Sequence, residues 1–187
     1  MKTLSEIYNS KNFDTDKNTL HSYIDYVYSE LFSEIQISAK NILEIGIDKG
    51  GSIFLWKEYF LNANINAIDI EDKKEIFNNN EQLKIFKANA YDDNFINSLP
   101  ENYFDLIIDD GTHNLEDMIK FLNGYQSKLN ENGIIIIEDL RCISWVEILK
   151  KNVLSNLTQC INIYDLRSIK NRADDILFVI NKRKIIN

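Results

Sequence analysis

The chain has 187 residues, of which 44% are hydrophobic and 27% are charged, a composition typical of soluble globular proteins. That length is enough for one domain to bury a substantial core. The formal net charge is −8, and this acidic balance argues against a nucleic-acid partner, because phosphate groups are bound by clustered Lys and Arg.

The N-terminal residues and the cysteines indicate the cellular compartment of the protein. Residues 1–12 contain no apolar segment of the kind that forms the centre of a signal peptide. No apolar run is long enough for a transmembrane helix, and we expect no membrane partner. Cys142 and Cys160 stand at no metal-binding spacing, which favours two free thiols. These features predict a cytoplasmic protein.

Short β-rich runs alternate with helical stretches along most of the chain. An amphipathic helix is predicted first, over residues 20–37. Seven strands are then predicted, at 41–47, 65–70, 83–90, 104–109, 133–140, 161–166 and 176–181. Five helices are predicted between them, at 52–61, 73–79, 92–99, 115–129 and 144–154.

This order of elements indicates the fold class. Several strands are almost continuously apolar, which is typical of a parallel sheet covered by helices on both faces. Residues 165–175 are polar and few, so the last two strands are expected to form an antiparallel hairpin with a reversed strand at the sheet edge. The prediction is an α/β, Rossmann-like, doubly wound seven-stranded sheet, mostly parallel with an antiparallel C-terminal strand. We expect a single domain over 1–187, with an N-terminal helical or lid segment at 1–40 and the core at 41–187.

A glycine-containing loop follows the first predicted strand and precedes a predicted helix. Gly46 would let the backbone turn close to a ligand, and Gly50 and Gly51 would admit ligand atoms against the helix N-terminus beside Ser52. The spacing differs from the G-x-G-x-x-G that holds a pyrophosphate, which argues against a nicotinamide oxidoreductase. A tight turn alone also explains any one of these glycines.

Two further strand ends lie on the same side of the predicted sheet. Asp69 stands 23 residues after Gly46, where related folds place an acid for ribose hydroxyls, and a carboxylate accepts two hydrogen bonds from a diol. The alternative is a turn residue at the end of the strand. Ala90 ends the third strand and is suitably placed for an adenine, while the neighbouring Asp92 is equally well explained as a helix N-cap.

Acidic residues follow the fourth and fifth strands, which should be neighbours. Asp109, Asp110, Glu138 and Asp139 then converge, and a divalent cation such as Mg²⁺ would relieve their mutual repulsion. His113 titrates near neutrality and could remove the proton of a metal-bound hydroxyl. The alternative interpretation is that the acids cap the following helix and that the histidine is structural.

Three motifs together carry a resemblance: residues 43–46 (LEIG), 109–113 (DDGTH) and 137–140 (IEDL). They resemble those of class I S-adenosylmethionine-dependent methyltransferases. Within that superfamily they are similar to the metal-dependent sugar O-methyltransferases of macrolide biosynthesis, the mycinamicin-type enzymes, and to the cephalosporin-hydroxylase-like group. Residues 15–17 (TDK), followed by His21 and Tyr23, match a segment that these proteins carry before the first helix.

The resemblance implies a role for each matched residue. His113 matches the proposed base, and the implied Mg²⁺ ligands are Asp110, Glu138 and Asp139. Glu44, Gly46 and Asp69 match cofactor contacts of the family. With the other residues at the ends of the strands, the residues predicted to bind S-adenosylmethionine are Glu44, Gly46, Gly50, Ser52, Asp69, Ala90 and Asp109.

The implied reaction is methyl transfer from S-adenosylmethionine to a hydroxyl of a small molecule, of which a sugar or glycan precursor is the acceptor that the resemblance favours. Family members carry additional domains or lid insertions, so the substrate pocket is expected from residues 1–30, from the loop after Leu140, from 165–175 or from another subunit of a homo-oligomer. Two alternatives stay open: a metal-independent methyltransferase on another acceptor, and a non-catalytic module that only binds S-adenosylmethionine.

Overall fold

A computed structural model describes residues 1–77, 80 and 82–184. Seven strands form one sheet in the order β3-β2-β1-β4-β5-β7-β6. In chain order the strands are β1 (Asn41–Ile45), β2 (Asn64–Asp69), β3 (Leu83–Lys87), β4 (Phe104–Asp109), β5 (Leu129–Ile137), β6 (Ile161–Asp165) and β7 (Ile176–Asn181). The predicted Rossmann-like sheet is therefore confirmed.

Strands β3, β2, β1, β4 and β5 are mutually parallel, as their continuous apolar runs predict. Central residues such as Ile107 and Ile135 have no exposed surface, because helices cover both faces of the sheet. The strand order changes direction between β1 and β4. Loops leave the carboxyl ends of these two strands toward opposite faces, which opens the crevice where such folds bind ligands.

The predicted hairpin of the last two strands is confirmed, but the predicted place of the reversed strand is wrong. Strand β7 runs antiparallel to both β5 and β6, and it lies between them. All six residues of β7 are buried, whereas β6 is partly exposed along its length. The more apolar strand thus occupies the inner position, and β6 forms the edge.

The helices are shorter than predicted. They are α1 (Leu4–Ser10), α2 (Ser29–Ser33), α3 (Gly51–Tyr59), α4 (Asp93–Ser98), α5 (Leu115–Tyr125), α6 (Trp145–Lys150) and α7 (Arg167–Lys170). A π-helical turn, Ile24–Tyr28, precedes α2 within the predicted helix at 20–37. The predicted helix at 73–79 is a 3-10 turn, Lys74–Phe77, and its last two residues lie outside the described part of the chain. The predicted helix at 115–129 ends early, because β5 already begins at Leu129 beside Phe104.

The N-terminal helices and α3 cover one face of the sheet, where aromatic rings pack together. The rings of Tyr28 and Phe32 stack 4.7 Å apart, and Trp56 of α3 meets Phe32 edge to face at 5.4 Å. Helices α4, α5 and α6 cover the other face. Within residues 1–77 and 82–184, no helix combines the length and the apolar character needed to cross a membrane.

Helix α5 also holds the loop after β3. The buried Tyr125 hydroxyl donates a hydrogen bond to the Ala90 carbonyl oxygen at 2.8 Å. We expect Tyr125→Phe to lower the free energy of unfolding by about 1–3 kcal/mol, because a buried carbonyl loses its partner. Urea denaturation measures this loss. Tyr103→Phe is the matched control, since Tyr103 is 40% exposed; equal losses in the two variants would contradict the assignment.

Candidate active site

The loops after β1 and β4 meet at Gly46. This residue has φ of +89°, and a Cβ atom there would lie 2.0 Å from the Asp110 carbonyl oxygen. The Asp110 amide in turn donates to the Ile45 carbonyl oxygen at 3.0 Å. Only glycine allows both the left-handed backbone and this close approach. The loop conformation expected from the sequence is therefore present.

Gly50 and Gly51 both make room for protein atoms, which we did not expect, and of the two only Gly51 also lines the larger of the cavities described below. A Cβ on Gly50 would lie 2.7 Å from the Phe77 ring, and one on Gly51 would lie 2.2 Å from the Asp14 carbonyl oxygen. Gly51 thus lets residues 12–23, here called the N-terminal segment, pack against the start of α3. Ser52, the next residue, lines a cavity.

Two neighbouring cavities open at this end of the sheet. The larger has a volume of about 740 Å³ and lies between the N-terminal segment and the β1 loop. The smaller, of about 370 Å³, is bordered by the β3 loop at Ala90 and Tyr91. Both are lined by Gly46, Asp69, Ile70 and Gly111. A single extended ligand can therefore occupy both.

Asp69 stands where the two cavities join. Its Oδ2 accepts a hydrogen bond from the Ile47 amide at 3.1 Å, and its Oδ1 accepts one from the Glu71 amide at 2.9 Å. These bonds fix the carboxylate at the end of β2. Each carboxylate oxygen has a further acceptor site, so Asp69 remains able to bind a vicinal diol.

Asp109, predicted as a cofactor contact, lies beneath the smaller cavity. It is 3% exposed, and its Oδ1 accepts a hydrogen bond from the Tyr91 hydroxyl at 2.7 Å. Burial raises the pKa of the Asp109 carboxyl to about 7. Its structural contact is thus with Tyr91, whose side chain lines the cavity in its place.

Lys17 lies in the middle of the acidic residues. Its side chain has no exposed surface, and its Nζ lies 2.7 Å from Asp110 Oδ2, 2.7 Å from both carboxylate oxygens of Glu138 and 3.3 Å from Glu44 Oε1. Burial alone would lower the pKa of this ammonium group, but the three carboxylates outweigh burial and raise it well above its ordinary value. Lys17 is therefore a permanent countercharge.

Two predicted site residues are enclosed around Lys17. Glu44 is fully buried and accepts a hydrogen bond from Trp56 Nε1 at 2.5 Å; burial raises its pKa to about 7. Glu138 is 1% exposed and accepts hydrogen bonds from Lys17 and from the Tyr28 hydroxyl. Neither residue lines either of the two cavities described above, and both are buried around the Lys17 ammonium group. Of the three residues expected to bind a metal ion, Glu138 is thus bound by an internal ammonium group, which also contacts Asp110.

The acidic rim also contains Asp110, His113 and Asp139, whose side chains are 24%, 27% and 12% exposed. One ligand atom from each can be chosen so that all three lie within 4.8 Å of one another. His113 Nε2 is 3.7 Å from Asp110 Oδ1, and His113 Nδ1 is 3.9 Å from Asp139 Oδ2. His113 Nδ1 is also buried without a hydrogen-bond partner. This set of oxygen and nitrogen donors fits a divalent cation.

Two residues of the matched N-terminal motif, His21 and Tyr23, and one residue that the sequence analysis did not name, Asp175, hold this rim in place. The Tyr23 hydroxyl donates to Asp139 Oδ1, and the ring of Tyr23 stacks on His21 at 4.7 Å. His21 Nδ1 lies 2.5 Å from Asp175 Oδ1, just before β7. The spacing of Lys17, His21 and Tyr23 in the matched N-terminal motif was the available signal, whereas Asp175 carried none.

No family model matches the chain, but curated relatives do. Over 140 residues it is 26% identical to 8-demethyl-8-alpha-L-rhamnosyl tetracenomycin-C 2'-O-methyltransferase of Streptomyces olivaceus, an alignment that covers 70% of this chain and 36% of the relative. Over 136 residues it is 29% identical to demethylmacrocin O-methyltransferase of Streptomyces fradiae, covering 68% and 34%. Mycinamicin VI 2''-O-methyltransferase of Micromonospora griseorubida is 26% identical over 76% of this chain and 37% of the relative.

These relatives confirm the resemblance to sugar and macrolide O-methyltransferases that the motifs indicated. The aligned part spans about a third of the length of each relative. Among solved structures, the MycE methyltransferase from the mycinamycin biosynthetic pathway, in complex with Mg and SAH, matches with a TM-score of 0.72 and 18% identity over 100% of this chain and 57% of that chain. Spermidine synthase from Thermotoga maritima matches with a TM-score of 0.60 and 16% identity, over 79% and 55%. At these identities the matches establish the fold.

The close approach at Gly51 predicts how the N-terminal segment is held. We expect Gly51→Ala to displace the segment from α3, because the new Cβ atom would collide with the Asp14 backbone. Hydrogen–deuterium exchange of residues 12–23 should become faster, while exchange in β4 and β5 stays slow. Unchanged exchange in residues 12–23 would show that the contact is not needed to hold the segment.

Proposed function

We propose that this chain transfers a methyl group from S-adenosylmethionine to a hydroxyl of a small-molecule acceptor, and that the acceptor is a sugar or glycan precursor. The observation that carries the proposal is the pair of adjoining cavities, with Asp69 at their junction, Asp110 and His113 lining the larger one, and Asp139 next to both of these residues. The O-methyltransferase names of the relatives support the same reaction, and the relative from Streptomyces olivaceus is named for a rhamnosyl compound.

The cofactor residues follow from the cavities. Asp69 would accept hydrogen bonds from the ribose hydroxyls, and the smaller cavity beside Ala90 and Tyr91 would hold the adenine. Gly46 and Ser52 would border the remainder of the cofactor in the larger cavity. We further propose that the N-terminal segment and the sheet act as one methyltransferase domain, since residues of both line that cavity.

Asp110 and Asp139 are the residues that would hold the divalent cation, Mg²⁺ in this proposal. When bound, such a cation lowers the pKa of a hydroxyl that it contacts and stabilises the resulting negative charge. Each carboxylate has one oxygen toward His113, so the chain supplies a negatively charged position at the cavity rim. Glu138 would act behind them, through its contact with Lys17.

His113 would accept the proton of the acceptor hydroxyl. Its side chain is 27% exposed, which allows contact with a bound molecule, and it lies between the two aspartates. The same proximity favours a second role for His113, that of a third cation ligand. Under either role the protein's main contribution is to hold the two reactants in line.

Cofactor binding tests the role of Asp69. We expect Asp69→Asn to weaken S-adenosylmethionine binding by roughly 10- to 100-fold, because hydrogen bonds to a charged acceptor contribute about 1.5–3 kcal/mol. Isothermal titration calorimetry measures the change. Asp72→Asn is the matched control, since Asp72 is exposed, lies three residues away and lines neither cavity. Full binding by the Asp69 variant would overturn the cofactor assignment.

The chemistry itself tests His113. We expect His113→Ala to reduce methyl transfer to a panel of sugar acceptors by about 10²–10⁴-fold, the usual contribution of a general base, with S-adenosylmethionine affinity retained. The Mg²⁺ affinity of the same variant separates the two roles, because a base leaves it unchanged and a ligand lowers it. Undiminished turnover would remove His113 from the mechanism.

Removal of the cation tests the metal dependence. We expect EDTA to abolish turnover and excess Mg²⁺ to restore it, because the acceptor hydroxyl would otherwise keep its ordinary pKa. The measurement is the initial rate of methyl transfer before and after chelation. A rate that EDTA does not change would instead favour the metal-independent alternative.

A further inference from the structure

Each accessible carboxylate of the rim uses one oxygen to contact the N-terminal segment. Asp110 Oδ2 accepts a hydrogen bond from Lys17 Nζ at 2.7 Å. Asp139 Oδ1 accepts one from the Tyr23 hydroxyl. In both cases a single oxygen of the carboxylate accepts a hydrogen bond from the N-terminal segment. The donor is an ammonium group in Lys17 and a phenol in Tyr23.

The second oxygen of each carboxylate faces His113 instead. Asp110 Oδ1 lies 3.7 Å from His113 Nε2, and Asp139 Oδ2 lies 3.9 Å from His113 Nδ1. Neither of these two oxygens is hydrogen-bonded to another side chain in the described part of the chain. Each carboxylate therefore has one oxygen held by the N-terminal segment and the other beside the His113 ring, and one ligand atom from each of the three residues lies within 4.8 Å of the other two.

We propose that Lys17 and Tyr23 are positioning residues for a divalent cation: they fix Asp110 and Asp139 so that the free oxygens converge on it. This inference rests on the proposed function, since it concerns the cation of that site. Donors that hold the outer oxygen of a ligand orient it before the cation arrives, which raises affinity.

Both donors are rigidly held. Lys17 and Tyr23 have no exposed surface. The ring of Tyr23 stacks on His21, which contacts Asp175 before β7, and Lys170 of α7 donates hydrogen bonds to the carbonyl oxygens of Asn18, Thr19 and His21. The β6–β7 connection thus fixes the N-terminal segment from outside, and the segment fixes the carboxylates.

Glu138 belongs to the same cluster but is bound differently from Asp110 and Asp139. It too accepts a hydrogen bond from a buried tyrosine, Tyr28, but both of its oxygens lie 2.7 Å from Lys17 Nζ. Both oxygens of Glu138 are thus engaged by the Lys17 ammonium group, and neither is directed at His113. Tyr28 is therefore a matched control for Tyr23, because each donates one hydroxyl to one buried acid.

The test is calorimetric titration of the full chain with MgCl₂ and, separately, with MnCl₂, both without cofactor. We expect Tyr23→Phe to weaken cation binding by about 10- to 100-fold, the usual effect of removing a group that orients a ligand. Tyr28→Phe should bind the cation as the wild-type protein does. S-adenosylhomocysteine affinity, measured in a separate titration, should be the same in all three proteins.

Lys17 needs a charge-balanced variant, because Lys17→Met alone leaves buried carboxylates without a countercharge and is expected to unfold the protein. The double variant Lys17→Met/Glu138→Gln removes one charge of each sign. We expect it to retain a cooperative thermal transition and to bind Mg²⁺ at least 10-fold more weakly, since Asp110 Oδ2 is no longer held.

Wild-type affinity in Tyr23→Phe, or an equal loss in Tyr28→Phe, would overturn the positioning role. A wild-type protein that binds neither Mg²⁺ nor Mn²⁺ would overturn it together with the metal-dependent part of the proposed function. Failure to bind S-adenosylhomocysteine would contradict the proposed function alone, because the cation titrations contain no cofactor.

Discussion

The ammonium group of Lys17 is the interaction on which the rest of the site depends. Glu44, Asp110 and Glu138 lie at the ends of three different strands, and each has a carboxylate oxygen within 3.3 Å of Lys17 Nζ, which offsets their mutual repulsion. Removing one member of such a buried group costs far more than a surface ion pair contributes, because the remaining charges lose their solvation and their partner. The N-terminal segment is thereby part of the sheet's own electrostatic balance and not an appendage to it.

Both the sheet and its loops help to bring the acidic side chains together around Lys17. Parallel strands β1, β4 and β5 bring their carboxyl ends together, so acids far apart in the chain become neighbours. His113 and Asp139 adopt left-handed backbone conformations, with φ of 52° and 57°. Such conformations are uncommon for residues other than glycine, and they occur here at the two rim positions whose side chains face each other.

The sequence was sufficient to predict most of the sheet. Predicted strands at 104–109 and 176–181 match β4 and β7 residue for residue, because both are short apolar runs with clear polar limits. The start of β5 was missed, since Asn130, Glu131 and Asn132 have little strand propensity and only Leu129, which pairs with Phe104, ties this end of the strand to β4 before a shift in register. Tertiary pairing, which a local pattern does not contain, decided that boundary.

The sequence allowed us to predict which loops form the site, but not which side chains contact one another within it. Asp69, Asp110 and His113 could be placed at strand ends from spacing alone. The sequence did not allow us to predict that Glu44 and Glu138 face inward. Their orientation depends on contact with Lys17, which is 121 residues from Glu138 in the chain. The packing at Gly50 and Gly51 was not predictable for a similar reason. The sequence shows that a side chain is absent at these positions, and only the folded structure shows which protein atoms lie there.

Those long separations have a consequence for the order of folding. Lys17 contacts groups 93 and 121 residues away, so its pairing closes some of the longest loops in the chain. An ammonium group gains little from burial until the strand ends that carry its partners are already assembled, and contacts of such high sequence separation form slowly. The helical N-terminal residues, although first in the chain, are thus among the last to reach their final place. The acidic rim is completed at that step, and partly folded chains would hold a formed sheet but no organised site.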